Sequence, residues 1–232
     1  MARLRLRDKW AQYGALLEQG QSVRKCAGEL DVHRTTGFRW RHRFLSLPCK
    51  RKPQALEGIV EADGTYMLHS FKGQPRELLR NELLARHRGG KARTRGITHD
   101  HVPILMVRNR AGQTSDFVLE ATTKAQFCKA LQSSVAADAV LCTDGSNTLA
   151  AVARELHLEH QAMNVLRGQR VRGAWHIQNV NAYHGRFKMG LERFKGVAKL
   201  YLPNYLGWFR ALDRNAQPGE VAQDFLSLAV GA

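Results

Sequence analysis

Three places in the chain gather residues able to do chemistry. The segment "VEADGTY" sets Asp63 inside a run that alternates residue by residue, and "CTDGS" sets Asp144 at the end of another apolar run. The third, "WHIQNVNAYHGRFK" from Trp175 to Lys188, combines an aromatic, two histidines, an asparagine pair and a terminal lysine where an ordinary surface helix alternates Leu with Glu and Lys. Read as a helix, it places Asn181, His184 and Lys188 on one face, and Tyr183, Phe187 and Phe194 on a more apolar one. Aspartates are hard oxygen ligands of the kind Mg²⁺ takes. Two of them at neighbouring strand positions can bridge two such ions and leave room for phosphate and water. A third ligand has to come from elsewhere, and neither His176 nor His184 is expected to supply it; both read as hydrogen-bonded structural residues.

The bulk composition says which partner such a site would serve. The 36 Lys and Arg against 20 Asp and Glu give a formal charge of +16 over 232 residues. That excess makes a polyanion the first partner to consider, nucleic acid ahead of an anionic membrane surface. No run approaches the roughly 18 apolar residues that span a bilayer, and "MARLRLRDKW" carries charges where a signal peptide needs an apolar core. The expectation is a soluble, cytoplasmic protein with no membrane partner. Cys26, Cys49, Cys128 and Cys142 are scattered and form no C-x-x-C pair, so they read as small buried or half-buried thiols.

Residues 1–46 predict a small all-α domain. Trp10, Tyr13, Gly14 and Leu17 recur at helical spacing, Gly20 closes that helix, and Ser22 caps the next, "VRKCAGEL". The turn "DVH" has the length that separates the two helices of a helix-turn-helix, and "RTTGFRWRHRFL" follows as the recognition helix. Ala27 is then the small residue at the crossing, with Leu30, Val32 and Trp40 in packing positions. His33, Arg34, Thr35, Thr36, Arg39 and Arg41 are candidate DNA contacts, because those types bond base edges and phosphates well. Asp31 stands where a glycine often makes the left-handed turn. Gly37 occupies a position usually held by Val or Ile, at a cost of about 1 kcal/mol in helix propensity against Ala. A three-helix bundle with a solvated basic face is the plainer alternative.

Residues 47–57, with two prolines and a basic run, read as a linker. From residue 58 to 214 the grammar is α/β. Strands are expected at "GIVEADGTYML", at "VPILMVRNRAG" and "TSDFVLEAT" around a turn near Asn109 to Gly112, and at "AVLCTDGS". Helices are expected at "TKAQFCKALQSSV", at "NTLAAVARELH", and from Trp175 to about Phe194. The basic, Gly-rich loop "RHRGGKARTRG", with Arg88, Lys91, Arg93 and Arg95, suits phosphates. Tyr201, Tyr205, Leu206, Trp208 and Phe209 are expected to pack a last helix, begun by Pro203, on the sheet, with a tail over 215–232. The strand bearing Asp63, a later parallel strand ending in Asp144 and a polar C-terminal helix form the arrangement in which an RNase H-like fold, a mixed sheet with flanking helices, collects metal ligands.

These stretches resemble the bacterial insertion-sequence transposases of the ISXO-like group. The motifs "VEADGTY", "KGQ", "RHRGGKARTRG", "VPILMVRNRAG", "CTDG", "WHIQNVNAYHGRFK" and "GVAKLYLPNYLGWFR" occur in order over residues 57–212, and "HRTTGFRWRHRFL" matches the upstream helix-turn-helix. The resemblance implies a triad of Asp63, Asp144 and Asn181 binding Mg²⁺, with Mn²⁺ able to substitute, and Lys188, seven residues after Asn181, holding a DNA phosphate. The implied activity is cleavage of transposon ends followed by strand transfer into target DNA, by an oligomer that synapses two ends. Gly64 stands where the family usually has Glu, and Asn109 where Asp is common. Many relatives begin with a cysteine-rich zinc ribbon, and "MARLRLRDKW" resembles sequence just downstream of it, so the chain reads as a naturally short version or a fragment.

Taken singly, Asp63 is a strand-end carboxylate, Asp144 before glycine a turn residue, and Lys188 a solvated helix lysine. The ordered set on a strongly basic chain is what points to catalysis. A non-catalytic DNA-binding remnant or regulator would have no need for Asp63, Asp144 and Lys188 to survive together. A metal-dependent nuclease alone leaves the fused helix-turn-helix without a purpose.

Overall fold

The computed structural model describes residues 6–72, 90–92, 95–164, 168 and 170–214. The chain divides into two compact units, one built from residues before Lys52 and from Tyr201 onward, the other from Lys52–Leu200.

The first unit opens with three helices, α1 (Trp10–Glu18), α2 (Val23–Glu29) and α3 (Arg34–Lys50). The Ser22 hydroxyl caps α2 by accepting from the Lys25 N–H at 3.2 Å, as expected. His33 caps α3, its Nδ1 accepting from the Thr35 N–H at 3.3 Å. Asp31 takes the left-handed turn at φ 45°. Trp10, Tyr13, Leu17, Ala27, Leu30, Trp40 and Phe44 form the buried interior, with Tyr13 stacked on Phe44 and edge-on to Trp40. Gly37 lies in this packing: a Cβ there would sit 3.4 Å from the Ala27 Cβ, and its carbonyl accepts from the Tyr13 hydroxyl at 2.6 Å. The position is therefore small because α2 crosses it, which accounts for the departure from Val or Ile.

The second unit is a five-stranded sheet of β1 (Ile59–Leu68), β2 (His101–Asn109), β3 (Thr114–Val118), β4 (Val140–Thr143) and β5 (Glu159–Ala162), in the order β3-β2-β1-β4-β5. β1, β2 and β3 pair antiparallel, while β4 runs parallel to β1 and to β5. Helices α4 (Lys124–Gln132) and α5 (Asn147–Glu155) cover one face. Their Phe127, Leu131, Leu149 and Val152 meet Val60, Ala62, Leu105, Val107 and Leu141 of the strands in one core. A two-residue-per-strand hairpin, β6 (Val171–Arg172) and β7 (Trp175–His176), leads into α6 (Gln178–Glu192), which packs on β1 and β2. Val60 and Ala62 belong to the core under α4 and α5, so strand alternation turns Glu61 and Asp63 to the opposite face. This mixed sheet with helices on both faces is the RNase H-like arrangement that the sequence predicted.

Three expectations change. Trp175 and His176 are strand rather than helix, because Gly173, at φ 59°, turns the chain so that they pair with Val171 and Arg172. α3 runs through Pro48 to Lys50 instead of yielding to a linker at residue 47. The last helix, α7 (Leu202–Arg214), packs on α3 within the helical unit, not on the sheet. One cause serves both of the latter. The buried Arg210 guanidinium donates to the Pro48 carbonyl at 2.7 Å and to the Cys49 carbonyl at 3.3 Å, satisfying groups that a helix end leaves open. Gly207 lets the axes approach: a Cβ there would fall 2.4 Å from the Cys49 backbone nitrogen.

The two glycines should respond oppositely to alanine. Gly207→Ala drives a methyl into backbone and should destabilise the protein by about 3 kcal/mol or more in urea denaturation. Gly37→Ala meets only ordinary contacts and should be neutral or stabilising by up to about 1 kcal/mol. A tolerated Gly207→Ala would show that α3 and α7 do not cross this closely.

His42 gives the helical unit a pH dependence. Burial first, and then the Arg41 charge, pull its pKa down to about 4, while it stacks on Tyr201 and its Nδ1 lies 3.2 Å from the Asn204 amide. The unfolded state therefore binds the extra proton, and stability present above pH 6.5 is lost as the pH falls towards 4. The melting temperature should drop through that window, and His42→Gln should flatten the slope; an unchanged slope would place the titration elsewhere.

Candidate active site

The parallel register of β1 and β4 pairs Val60 with Leu141 and Glu61 with Cys142, and its continuation brings Asp63 level with Asp144, just past the end of β4. Neighbouring strands lie about 4.8 Å apart, so the two carboxylates are held side by side. Asp144 is exposed and its Oδ1 accepts from the Ser146 N–H at 2.9 Å, in the turn whose Ser146 hydroxyl caps α5. The Asp63 side chain is 19% exposed, and its Oδ1 accepts from the Gly64 N–H at 2.8 Å. Burial first, and then the negative charge of Asp144, push the Asp63 carboxyl up to about 6; the Gly64 N–H and the Lys188 ammonium act in the other direction.

α6 supplies the opposite wall. Val180, Tyr183, His184, Phe187 and Leu191 are buried, while Asn181 and Lys188 are exposed along its edge. His184 thus departs from the expected polar face: it points inward, with Nδ1 3.5 Å from the Asp63 Oδ2. Burial, and then the Lys188 charge, pull its pKa down to about 4, so the imidazole is neutral at ordinary pH. Its Nε2 is buried with no hydrogen-bond partner among the described residues. Asn181 lies one helical turn before His184 and Lys188 one turn after it, and the Lys188 charge acts on both Asp63 and His184.

A second carboxylate on the same strand face stands apart from these. Glu61 is 0% exposed; one oxygen accepts from Arg110, and the other accepts from the backbone N–H of Val180, in the first turn of α6, at 2.8 Å. Arg110 also donates to the Ala174 carbonyl at 2.8 Å and lies 3.1 Å from the His176 Nδ1. Neither Glu61 nor Arg110 was expected to have a role. The available signal was a Glu at strand spacing from Asp63 and an Arg beside the predicted turn.

The candidate DNA contacts divide. His33, Arg34, Thr35 and Arg39 are exposed at the start of α3 and Thr36 is half-buried. Arg41 is not a surface residue: it is 0% exposed, donates to the Gln21 carbonyl and reaches the Cys26 sulfur at 3.7 Å. It follows the helix period to the inner face of α3, where its charge is spent within the unit. Lys91 and Arg95 are exposed, while Arg88 and Arg93 lie outside the described residues. Cys26 and Cys142 are buried and Cys49 and Cys128 half-buried, as their scatter suggested.

The donors suit a hard divalent cation. Two carboxylates whose mutual repulsion a cation would relieve stand beside a neutral imidazole with an unpartnered buried nitrogen. Among the described residues no group of three or more His, Cys, Asp and Glu is arranged to hold a metal. The Asn181 amide oxygen on α6 is a neutral hard donor of the kind such an ion also takes. No helix among the described residues is long and apolar enough to cross a membrane.

No curated protein matches the chain. Among solved structures, the chain is similar to the cryo-EM structure of the simian T-cell lymphotropic virus intasome in complex with PP2A regulatory subunit B56 gamma, at 10% identity and a TM-score of 0.36, covering 94% of this chain and 66% of that one. It is also similar to a crystal structure of a pre-cleavage Mos1 transpososome, at 12% identity and a TM-score of 0.30, covering 99% of this chain and 81% of the other. The family model of the ISXO2-like transposase domain matches residues 55–210, which take in the whole sheet, the paired aspartates and α6. The chain therefore belongs to the ISXO2-like transposase family.

Proposed function

We propose that this protein is the transposase of an insertion sequence, a metal-dependent polynucleotidyl transferase that cuts DNA at the element's ends and joins them to target DNA. The observation that supports the reading is the β1–β4 register, whose continuation brings Asp63 level with Asp144, together with the reach of the Lys188 charge from α6 to Asp63. Asp63, Asp144 and Asn181 hold the divalent metal, Mg²⁺ with Mn²⁺ able to substitute. A metal held there would supply Lewis-acid activation of the attacking oxygen, of water or of a DNA 3′-OH, and charge stabilisation at the leaving oxygen.

The protein's own groups position the scissile phosphate. The two carboxylates bind in their ionised form, and the neutral Asn181 amide leaves the site dependent on them for charge. Lys188, exposed and close enough to perturb Asp63 and His184, places an ammonium where a non-bridging phosphate oxygen can rest. His33, Arg34, Thr35, Thr36 and Arg39 grip the element's end sequence through α3, and Lys91 and Arg95 add phosphate contacts, in keeping with the +16 charge. DNA is the partner at both steps, two or more copies of the chain synapse the ends, and the setting is the bacterial cytoplasm.

In cleavage and strand-transfer assays on the element's own ends, with Mg²⁺ or Mn²⁺, Asp63→Ala and Asp144→Ala should each lose about 10³-fold or more in rate while still binding DNA. A wild-type protein that binds the ends in a salt-sensitive way and yields no products would instead make it a non-catalytic DNA-binding protein.

Binding should separate the arginines of α3. Arg34→Ala and Arg39→Ala should each reduce the slope of log K against log salt by about 1. Arg41→Ala should lower thermal stability and leave the slope of the folded fraction unchanged; a reduced slope in that variant would return Arg41 to the DNA surface.

A further inference from the structure

Three of the motifs that mark the family meet at one buried group that the chemistry above does not use. "VEADGTY" contributes Glu61, "VPILMVRNRAG" ends one residue pair after Arg110, and "WHIQNVNAYHGRFK" supplies His176 and the Val180 amide. Glu61 is fully buried and both of its oxygens are engaged, one by Arg110 and one by the Val180 N–H at 2.8 Å. Around it, Arg110 holds the Ala174 carbonyl at 2.8 Å, and the His176 Nδ1 accepts from the Gln178 N–H at 3.3 Å while lying 3.1 Å from Arg110. One carboxylate thus fastens β1, the β2–β3 turn, the β6–β7 hairpin and the first turn of α6.

That fastening has a geometric consequence. Asp63 is two residues beyond Glu61 on the same strand face, and Asn181 immediately follows Val180 on α6. The bond from Val180 to Glu61 therefore fixes how the first turn of α6, and with it Asn181, lies against the strand that carries Asp63. The N-cap residue of α6, Ile177, has no group to accept from the first-turn amides, and the His176 Nδ1 takes the Gln178 N–H, one residue pair before Val180. Glu61 supplies an acceptor for the Val180 N–H from the sheet, adding a favourable charge at the positive end of the helix. A surface cap would stabilise the helix equally well, but it would not set its register against β1.

We propose that Glu61, held by Arg110, is a positioning residue that sets α6 against β1 and so determines the distance between Asn181 and the paired aspartates. The proposal rests on the assignment of Asp63, Asp144, Asn181 and Lys188 given above, and it concerns the full chain as it folds. A displacement of about 1 Å at such a site costs on the order of 100-fold in rate.

The test compares wild type, Glu61→Ala, Glu61→Gln and Arg110→Ala. It uses amide hydrogen exchange over Gln178–Asn181, thermal melting, and cleavage of an end duplex with kcat and KM separated. Glu61→Ala should speed exchange at the start of α6 by about 10-fold or more, as expected of an amide that has lost its acceptor, and lower kcat per folded molecule about 100-fold with KM for DNA little changed. Arg110→Ala should act in the same direction. Glu61→Gln keeps an oxygen for the Val180 N–H and should recover most of the exchange protection and part of kcat. Unchanged exchange in both Glu61 variants, or a Glu61→Ala protein that melts lower but cuts at the wild-type rate per folded molecule, would overturn the proposal. If Glu61→Ala does not fold, Glu61→Gln and Arg110→Ala carry the comparison. If wild type itself cuts nothing, the transposase assignment and the positioning of a catalytic Asn181 fall together, while exchange still decides whether Glu61 holds α6.

Discussion

The second unit is organised around a repulsion. Two carboxylates, Asp63 and Asp144, stand side by side, and Asp63 has its pKa pushed up to about 6, by burial first and then by its neighbour. Side chains alone could not hold such a pair; they would rotate apart. Backbone hydrogen bonds can, and the parallel pairing of β1 with β4 does so three residues deep before either aspartate is reached. The core beneath it, where Val60, Ala62 and Leu141 pack against α4 and α5, is what makes that register expensive to slip. A one-residue shift would turn Asp63 into the core and Val60 out of it.

The other carboxylate of the strand meets the opposite fate. Glu61 lies deeper than Asp63 and is fully buried, where an unpaired charge is costly, and it is accommodated by Arg110 and a backbone amide. Two acidic residues on the same strand face, two apart, thus divide the work. Asp63, level with the residue just past the end of β4, stays partly solvated, and Glu61, paired with Cys142 inside β4, is spent within the structure. Depth along the strand is what sorts them, since their local sequence is so alike.

That sorting also marks what could be read from the sequence. β1, β2, β3, β4, α4 and α5 follow from period and punctuation, and the turn at Gly112 from its dipeptide context. Asp63 and Asp144 were legible as a pair because strand order places them together whatever the side chains do. Glu61 and His184 were not, because their roles depend on burial: a Glu in an alternating strand looks solvent-facing until α6 covers it, and a His at helix spacing from Asn181 shares its face only approximately. Arg41 misled for the same reason. The short hairpin escaped because two-residue strands carry no period. The last helix escaped because nothing in "LPNYLGWFR" names its partner. Gly207 is the one residue there whose absent side chain speaks, and only once Cys49 is seen against it.

Gly64 can be settled by the same alternation. The family usually places Glu there, next to the first aspartate, and its loss invites the idea of a missing ligand. Strand geometry argues otherwise. Residues 60 and 62 point into the core under α4 and α5, so a side chain at 64 continues along that face, away from α6 and Asp63. Nor is the glycine a steric demand, since a Cβ at that position would meet nothing within 4 Å and no positive φ is recorded for it. What Gly64 does supply to the site is its backbone: its N–H donates to the Asp63 Oδ1 at 2.8 Å, a bond any non-proline residue could make. A side chain at this position would therefore face the far side of the sheet, away from the donors proposed at Asp63, Asp144 and Asn181.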